Sequence, residues 1–185
     1  MNPGPALRRA ARVVRSGGVI AYPTEAVYGL GCDPADAAAV RRILHIKGRG
    51  ARAGLILIAD HTARLHGWIA PTATERRRLG SHTSQPVTWV VTAGPRAHRL
   101  LTGGRSRIAV RITAHPTAAA LCCAAATPLV STSANRHGRP PARDALAVRR
   151  RLGPQLDFVL GGATLGRARP SEIRDARSGA VLRRG

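Results

Sequence analysis

The chain has 185 residues, with 30 Lys and Arg against 9 Asp and Glu, giving a formal net charge of +21. Hydrophobic residues make up 44%, too many for a disordered basic tail, while aromatics at 3% argue against a single-strand binder that stacks bases on many rings. Three cysteines, two of them adjacent, give neither a disulfide framework nor a CxxC zinc spacing, which points to a reducing, cytoplasmic compartment.

Residues 1–18 alternate Arg with short apolar runs and lack the continuous apolar stretch of a secretory signal. Residues 6–15 read as a helix ended by Ser16, Gly17 and Gly18, and a strand over 19–22 stops at Pro23. Asp33 and Pro34 mark the next helix start, because a carboxylate accepts from the free N–H groups of a first turn and Pro suits the first helical position. That helix runs from 35 to 47 with Val40, Ile43, Leu44 and Ile46 apolar, and it ends at Gly48. Residues 55–59 form a short buried strand and the longest apolar run, far below the ~20 residues of a membrane span. From 61 to 85 the sequence is polar and weakly periodic, with Arg76, Arg77 and Arg78 on a solvated helical face.

A strand is predicted over 86–92. Over 107–113, Ile108, Val110 and Ile112 alternate with Arg107, Ala109 and Arg111, the period of a half-buried strand. His115 and Pro116 open an Ala-rich helix reaching 126. The strand over 128–131 then delivers Ser131, Thr132, Ser133, Ala134 and Asn135 at its end. A helix over 143–152 precedes three short strands near Phe158, Ile173 and Val181. The alternation is that of an α/β protein, and with no repeat or long linker a single domain over 1–185 is expected.

Four stretches carry polar groups where chemistry is expected. Residues 21–31 leave a strand at Pro23 and pass Thr24, Glu25 and two glycines, flanked by both tyrosines of the chain, Tyr22 and Tyr28. The carboxyl edge of a strand is where open α/β sheets bind ligands. Lys47 is the one Lys among 30 cationic residues, so a composition that favours Arg has kept a compact ammonium here, beside Gly48 and Arg49. The 131–135 run offers hydroxyls and an amide to a polar ligand, and 170–175 reads by itself as surface. Residues 161–168 have P-loop glycine spacing but Arg167 and Ala168 where Lys and Ser or Thr are needed.

In this order, YPTEAVYGLG, KGR, GLILIAD, PVT, AVRIT with a following HP, STSAN and PSEIRD resemble the YrdC/TsaC family, the bacterial threonylcarbamoyl-adenylate synthases, in their short single-domain form. The resemblance runs from about Gly17 to Gly185, and its KxR and SxN signature falls on Lys47/Arg49 and Ser133/Asn135. It implies a YrdC/RibB-like twisted mixed β-sheet with surrounding helices and an open, positively charged cleft. It also implies that L-threonine, bicarbonate or CO2, and ATP become L-threonylcarbamoyl-AMP and pyrophosphate. The product would pass to the machinery that modifies tRNAs reading codons that begin with A.

By the same resemblance Lys47 and Arg49, with Mg²⁺, are the catalytic charges, and Thr24, Arg111, Ser131 and Ser171 bind L-threonine. Lys47, Arg49, Ser133, Asn135 and Arg183 bind ATP, and no metal-ligating residue is implied. Two places depart from the pattern: Gly50 follows Arg49 where the family has Pro, and Ser84 and Gln85 replace a Trp-Pro-Gly within the poorly matching 69–85. The competing reading is a non-catalytic module that grips tRNA or double-stranded RNA in a basic cleft. The +21 charge supports it directly, although part of that excess is the compositional bias toward Arg.

Overall fold

A computed structural model describes residues 4–81, 87–166 and 170–184. Strands and helices run in the order α1 (Pro5–Arg15), β1 (Ile20–Pro23), β2 (Tyr28–Gly31), α2 (Ala37–Lys47), β3 (Ile56–Ala59), α3 (Ala73–Leu79), β4 (Val87–Thr92) and α4 (Arg99–Thr102). There follow β5 (Arg107–Ile112), α5 (Pro116–Ala125), β6 (Leu129–Ser133), α6 (Ala145–Leu152), β7 (Phe158–Val159), β8 (Glu172–Asp175) and β9 (Val181–Arg183). The strands form a nine-stranded sheet in the order β7-β1-β2-β6-β3-β5-β4-β8-β9. It is mixed: β1–β7, β3–β5 and β4–β8 pair parallel, and the other neighbours antiparallel.

Successive side chains of a strand point to opposite faces, so each buried strand feeds two cores. Ile20 and Tyr22 of β1, Ile58 of β3 and Leu129 of β6 pack with Ala10 and Val14 of α1 and Leu121 of α5. Their neighbours Ala21, Leu57 and Val130, with Leu30 of β2 and Val110 of β5, pack against Val40 and Ile43 of α2 and Val148 of α6. The alternation of Ile108 and Val110 is fulfilled, both being buried. Among the described residues no helix is long and apolar enough to cross a membrane.

Strand β2 is an addition to the sequence reading, which ends its strand at Pro23 and predicts none over 24–31. The glycines serve a cross-strand contact. Tyr22 lies opposite Gly29, and a Cβ built on Gly31 would stand 2.7 Å from Tyr22 Cε1 and 2.8 Å from the Val130 carbonyl oxygen. A backbone carbonyl in a central strand cannot yield cheaply. Gly31→Ala is expected to destabilise the fold by about 2 kcal/mol, the range of overpacked cores, read as a lower urea midpoint at unchanged slope.

Two further corrections are local. Helix α2 starts at Ala37, and its cap is Asp36, whose Oδ1 accepts from the N–H groups of Ala38 and Ala39 at 2.8 and 2.9 Å. Asp33 sits one turn earlier and bonds the Ala35 N–H at 2.9 Å, so Pro34 belongs to the entering turn. In the polar 61–85 stretch, α3 begins with a capping box in which Thr72 and Glu75 exchange side-chain and backbone bonds. Arg76 and Arg77 are exposed as predicted, but Arg78 turns inward and donates to the carbonyls of Ala176, at 2.8 Å, and Arg177.

Glu75 is fully enclosed, and it ties α3 to the sheet. Its carboxylate accepts from the Thr92 N–H and hydroxyl and from Arg177 Nε, and Arg107 Nη2 lies 3.5 Å away. Arg107 in turn pairs with Asp175 at 2.5 Å, linking β5 to β8 across β4. Ser84, Gln85, Pro86, Arg167 and Ala168, on which earlier readings rested, lie outside the described residues.

Candidate active site

A cavity of about 1330 Å³ opens where the β1–β2 turn, the segment after α2 and the residues of β5, β6, β8 and β9 meet. Thr24, Arg49, Arg111, Ser131, Ser133, Ser171 and Arg183 line it, while Lys47 and Asn135 stand behind Ser133. All nine residues assigned to the site from the sequence therefore line this cavity or stand directly behind Ser133.

The joint between the two signature segments is the ammonium of Lys47, the last residue of α2. It is wholly enclosed, 0% exposed. Nζ donates to the Ser133 carbonyl at 2.6 Å, to Ser133 Oγ at 3.1 Å and to Asn135 Oδ1 at 2.6 Å. An ammonium has three N–H donors, and each has an acceptor here. A planar guanidinium could not point at oxygens converging on a single atom, which explains why this position kept Lys. The turn is closed further by Ser133 Oγ donating to Asn135 Oδ1 at 2.6 Å and by the His137 N–H donating to the Lys47 carbonyl at 2.9 Å. Burial, with the Arg49 charge adding to it, pulls the Lys47 ammonium down to about 8.

Arg111 is nearly buried, 9% exposed, rather than projecting freely from its strand. Its Nη1 donates to Ser171 Oγ at 2.8 Å, and Ser171 Oγ shares a 2.8 Å hydrogen bond with Thr88 Oγ1. Its Nη2 lies 3.3 Å from Glu25 Oε2. Glu25 is anchored from behind, since Oε1 accepts from Thr113 Oγ1 at 2.7 Å and from the Ala114 N–H at 3.1 Å. Thr24 Oγ1 donates to the Val27 carbonyl at 2.6 Å and closes the β1–β2 turn. Ser171, on a stretch that read as surface, is drawn in because β8 pairs with β4.

The cavity charges are unevenly compensated. Glu172 is paired with Arg174 at 2.6 Å, Asp175 with Arg107 at 2.5 Å and Glu25 with Arg111 at 3.3 Å. The Arg49 guanidinium has no hydrogen-bond or ion-pair partner among the described residues, its only bond being from the backbone N–H to the Leu44 carbonyl, and the Arg183 guanidinium holds only the Ser171 carbonyl, at 3.2 Å. Burial, and then the charges of Arg49 and Arg111, lower the Arg183 pKa, so the guanidiniums are close enough to repel. Such a cluster is stabilised by an anion. Among the described residues no group of three or more His, Cys, Asp or Glu side chains gathers to hold a metal.

Sequence reasoning left Glu25 and Thr88 without a role. The signal for Glu25 was present: it is one of only 9 acidic residues in a chain of net charge +21, and it adjoins Thr24. Thr88 gave none, because a Thr in a β-rich run is ordinary.

The Sua5/YciO/YrdC family model, described as telomere recombination, matches residues 12–185. A threonylcarbamoyl-AMP synthase of Nitrosococcus oceani is 53% identical over 178 residues, 96% of this chain and 96% of that one. Another, of Halorhodospira halophila, is 52% identical over 179 residues, covering 96% of this chain and 94% of its own. The crystal structure of P. abyssi Sua5 complexed with L-threonine matches with a TM-score of 0.85 at 31% identity, over 91% of this chain and 50% of that one. The chain thus spans about half the length of that solved relative. With the family model matched over residues 12–185, nearly its whole length, and relatives about 50% identical, this chain belongs to the Sua5/YciO/YrdC family.

Proposed function

We infer that the protein is a threonylcarbamoyl-AMP synthase. It joins L-threonine, bicarbonate or CO2, and ATP into L-threonylcarbamoyl-AMP with release of pyrophosphate, acting as a single domain in the cytoplasm. The product serves the threonylcarbamoyl modification of tRNAs reading codons that begin with A. One observation carries the reading: the Lys47 ammonium binds the Ser133–Asn135 turn, and thereby sets both signature segments on the cavity wall beside Arg49, Arg111 and Arg183.

Threonine and bicarbonate first give the carbamate with loss of water. A carbamate oxygen then attacks the α-phosphorus, the bond to the bridging oxygen breaks, and pyrophosphate leaves with that electron pair. Negative charge builds on phosphate oxygens, and fixed positive groups aimed at it are the main source of rate in such transfers. Arg49 and Arg183, uncompensated in the cavity, supply that charge directly, and Ser133 offers its hydroxyl from the wall. Lys47 adds its charge from behind Ser133 and, with Asn135, holds the turn in shape. Arg111 pairs with the threonine carboxylate, with Thr24, Ser131 and Ser171 around it.

Mg²⁺ arriving with ATP would offset part of the triphosphate charge. Glu25, Glu172 and Asp175 are each already paired with an arginine, so phosphate oxygens and water fit the ion better than these side chains do. Five arginines, Arg49, Arg105, Arg107, Arg111 and Arg183, line the cavity against these carboxylates, in keeping with a positively charged cleft. The +21 charge also favours a second reading, a module that grips tRNA without chemistry.

The experiment that separates them measures pyrophosphate release by the purified protein. Release is expected only when ATP, L-threonine and bicarbonate are all present. Release that ignores threonine, or none with all of them supplied, would overturn the synthase reading.

A further inference from the structure

The cavity has two electrostatic characters. Toward Arg49 and Arg183 it is cationic and uncompensated, suited to a triphosphate. Toward Arg111 it is neutral overall, because Glu25 sits against the guanidinium at 3.3 Å. A bare carboxylate would be served best by an unpaired arginine. A guanidinium beside a carboxylate is instead complementary to a group that carries both charges on one carbon, the zwitterion of a free α-amino acid.

Glu25 has capacity for such a partner. The residue is 4% exposed and lines the cavity. Its Oε1 is fully engaged by Thr113 Oγ1 and the Ala114 N–H, whereas Oε2 is buried and has no hydrogen-bond donor. Arg111 Nη2 is within ion-pair distance of Oε2 but is not aligned to donate to it. Arg111 Nε is likewise buried without a hydrogen bond. Buried polar atoms are satisfied as a rule, so orphaned atoms gathered at one cavity wall mark groups that a ligand completes. Burial works to raise the Glu25 pKa, but Arg111 and the Thr113 hydroxyl outweigh it and hold the group below the usual carboxylate range, so it is an anion.

We propose that Glu25 Oε2 accepts a hydrogen bond from the α-ammonium group of the amino-acid substrate while Arg111 takes its carboxylate, so that the pair selects a free amino acid over the corresponding 2-hydroxy acid. This rests on the synthase reading, and it adds a specificity-determining residue that the signature motifs do not assign. A site built to bond a charged N–H group rejects an analogue that lacks it by a large factor, because the buried acceptor is then left alone.

The test compares L-threonine with its 2-hydroxy analogue, in which a hydroxyl replaces the amine, by calorimetric titration of the wild-type protein and of Glu25→Gln. Gln keeps the volume and an oxygen for Thr113 and Ala114. The wild type is expected to prefer threonine by roughly 100-fold, and Glu25→Gln to lose about 10-fold or more of threonine affinity with little change for the analogue or for ATP. Equal threonine affinity in the variant, or equal losses for threonine and analogue, would overturn the proposal while leaving the synthase reading in place. Failure of the wild type to bind threonine at all would overturn both. Should the variant not fold, the carbon-13 resonance of the Glu25 carboxyl in the wild type decides the matter. It is expected to move with threonine and not with the analogue, and the same response to both would refute the role.

Discussion

Lys47→Met is expected to reduce threonine- and bicarbonate-dependent pyrophosphate release by roughly 100-fold or more, with the fold retained, as loss of a fixed charge at a phosphoryl-transfer site does. Methionine matches the volume of the stem but removes the charge and leaves the Ser133 carbonyl, Ser133 Oγ and Asn135 Oδ1 without the ammonium as donor. Asn135 Oδ1 keeps its bond from the Ser133 hydroxyl and the Ser133 carbonyl its bond from the Asn135 N–H, so the loss costs about 1–3 kcal/mol in all. The backbone bonds from the Ala134 N–H to Tyr28 and from the His137 N–H to residue 47 remain, so the turn loosens rather than detaches. Lys47→Arg is expected to rescue little, because the planar fork cannot reproduce three bonds from one nitrogen.

Lys47 also gives a pH signature with opposite signs for activity and stability. The ammonium in the folded protein titrates near 8, pulled down by burial and then by Arg49. A free Lys side chain holds its proton to about 10.4. Activity that depends on the ammonium therefore falls as pH rises through about 8. Between those values the unfolded chain binds the extra proton, so this group's contribution to stability rises with pH. Both trends are read as differences between wild type and Lys47→Met, in a pH–rate profile and in urea midpoints, and both should vanish in the variant.

The largest effect on stability is expected from Glu75→Ala. Removing this enclosed carboxylate leaves the Thr92 N–H and hydroxyl without their acceptor at the junction of α3 and β4 and takes one anion from Arg107, which keeps Asp175, and from the half-exposed Arg177. Each polar group so left without its partner in the interior costs about 1–3 kcal/mol, together a large part of a domain's total stability. Burial pushes the Glu75 pKa up, but its bonds to Thr72, Thr92 and Arg177 prevail and hold it below the ordinary value. Its stabilisation is therefore complete above the unfolded value and is lost as pH falls through the lower folded one. Urea unfolding across that acid range should show a steeper decline for wild type than for Glu75→Gln. Equal slopes would remove Glu75 from the account of the fold. Because Arg107 also lines the cavity, Glu75→Gln is expected to weaken substrate binding as well.

What was legible in the sequence was what repeats locally. Ile108 and Val110 announced β5 by period, Gly48 ended α2 where a left-handed residue was needed, and the isolated Lys47 marked a position that requires an ammonium. What was not legible depends on partners distant in the chain. Gly29 and Gly31 look like a loop until Tyr22 lies across them. Asp33 and Asp36 compete for one cap, and only the helix axis decides which carboxylate reaches the free N–H groups. Neither the burial of Glu75 nor the pairing of Glu25 could be read, because the arginines that hold them, Arg177 and Arg111, arrive from later strands and turns. Lys47 was expected to reach the phosphates, and its enclosure could not be read before Ser133 and Asn135 were seen to surround it.

The central claim is that one cavity receives an amino acid at Arg111 and a triphosphate at Arg49 and Arg183. A crystal structure of the protein soaked with L-threonine and a non-hydrolysable ATP analogue tests it most directly. The account predicts the threonine carboxylate on Arg111, its ammonium toward Glu25, and the phosphates between Arg49, Arg183 and the Ser133 turn. Threonine or triphosphate bound away from those side chains would contradict it.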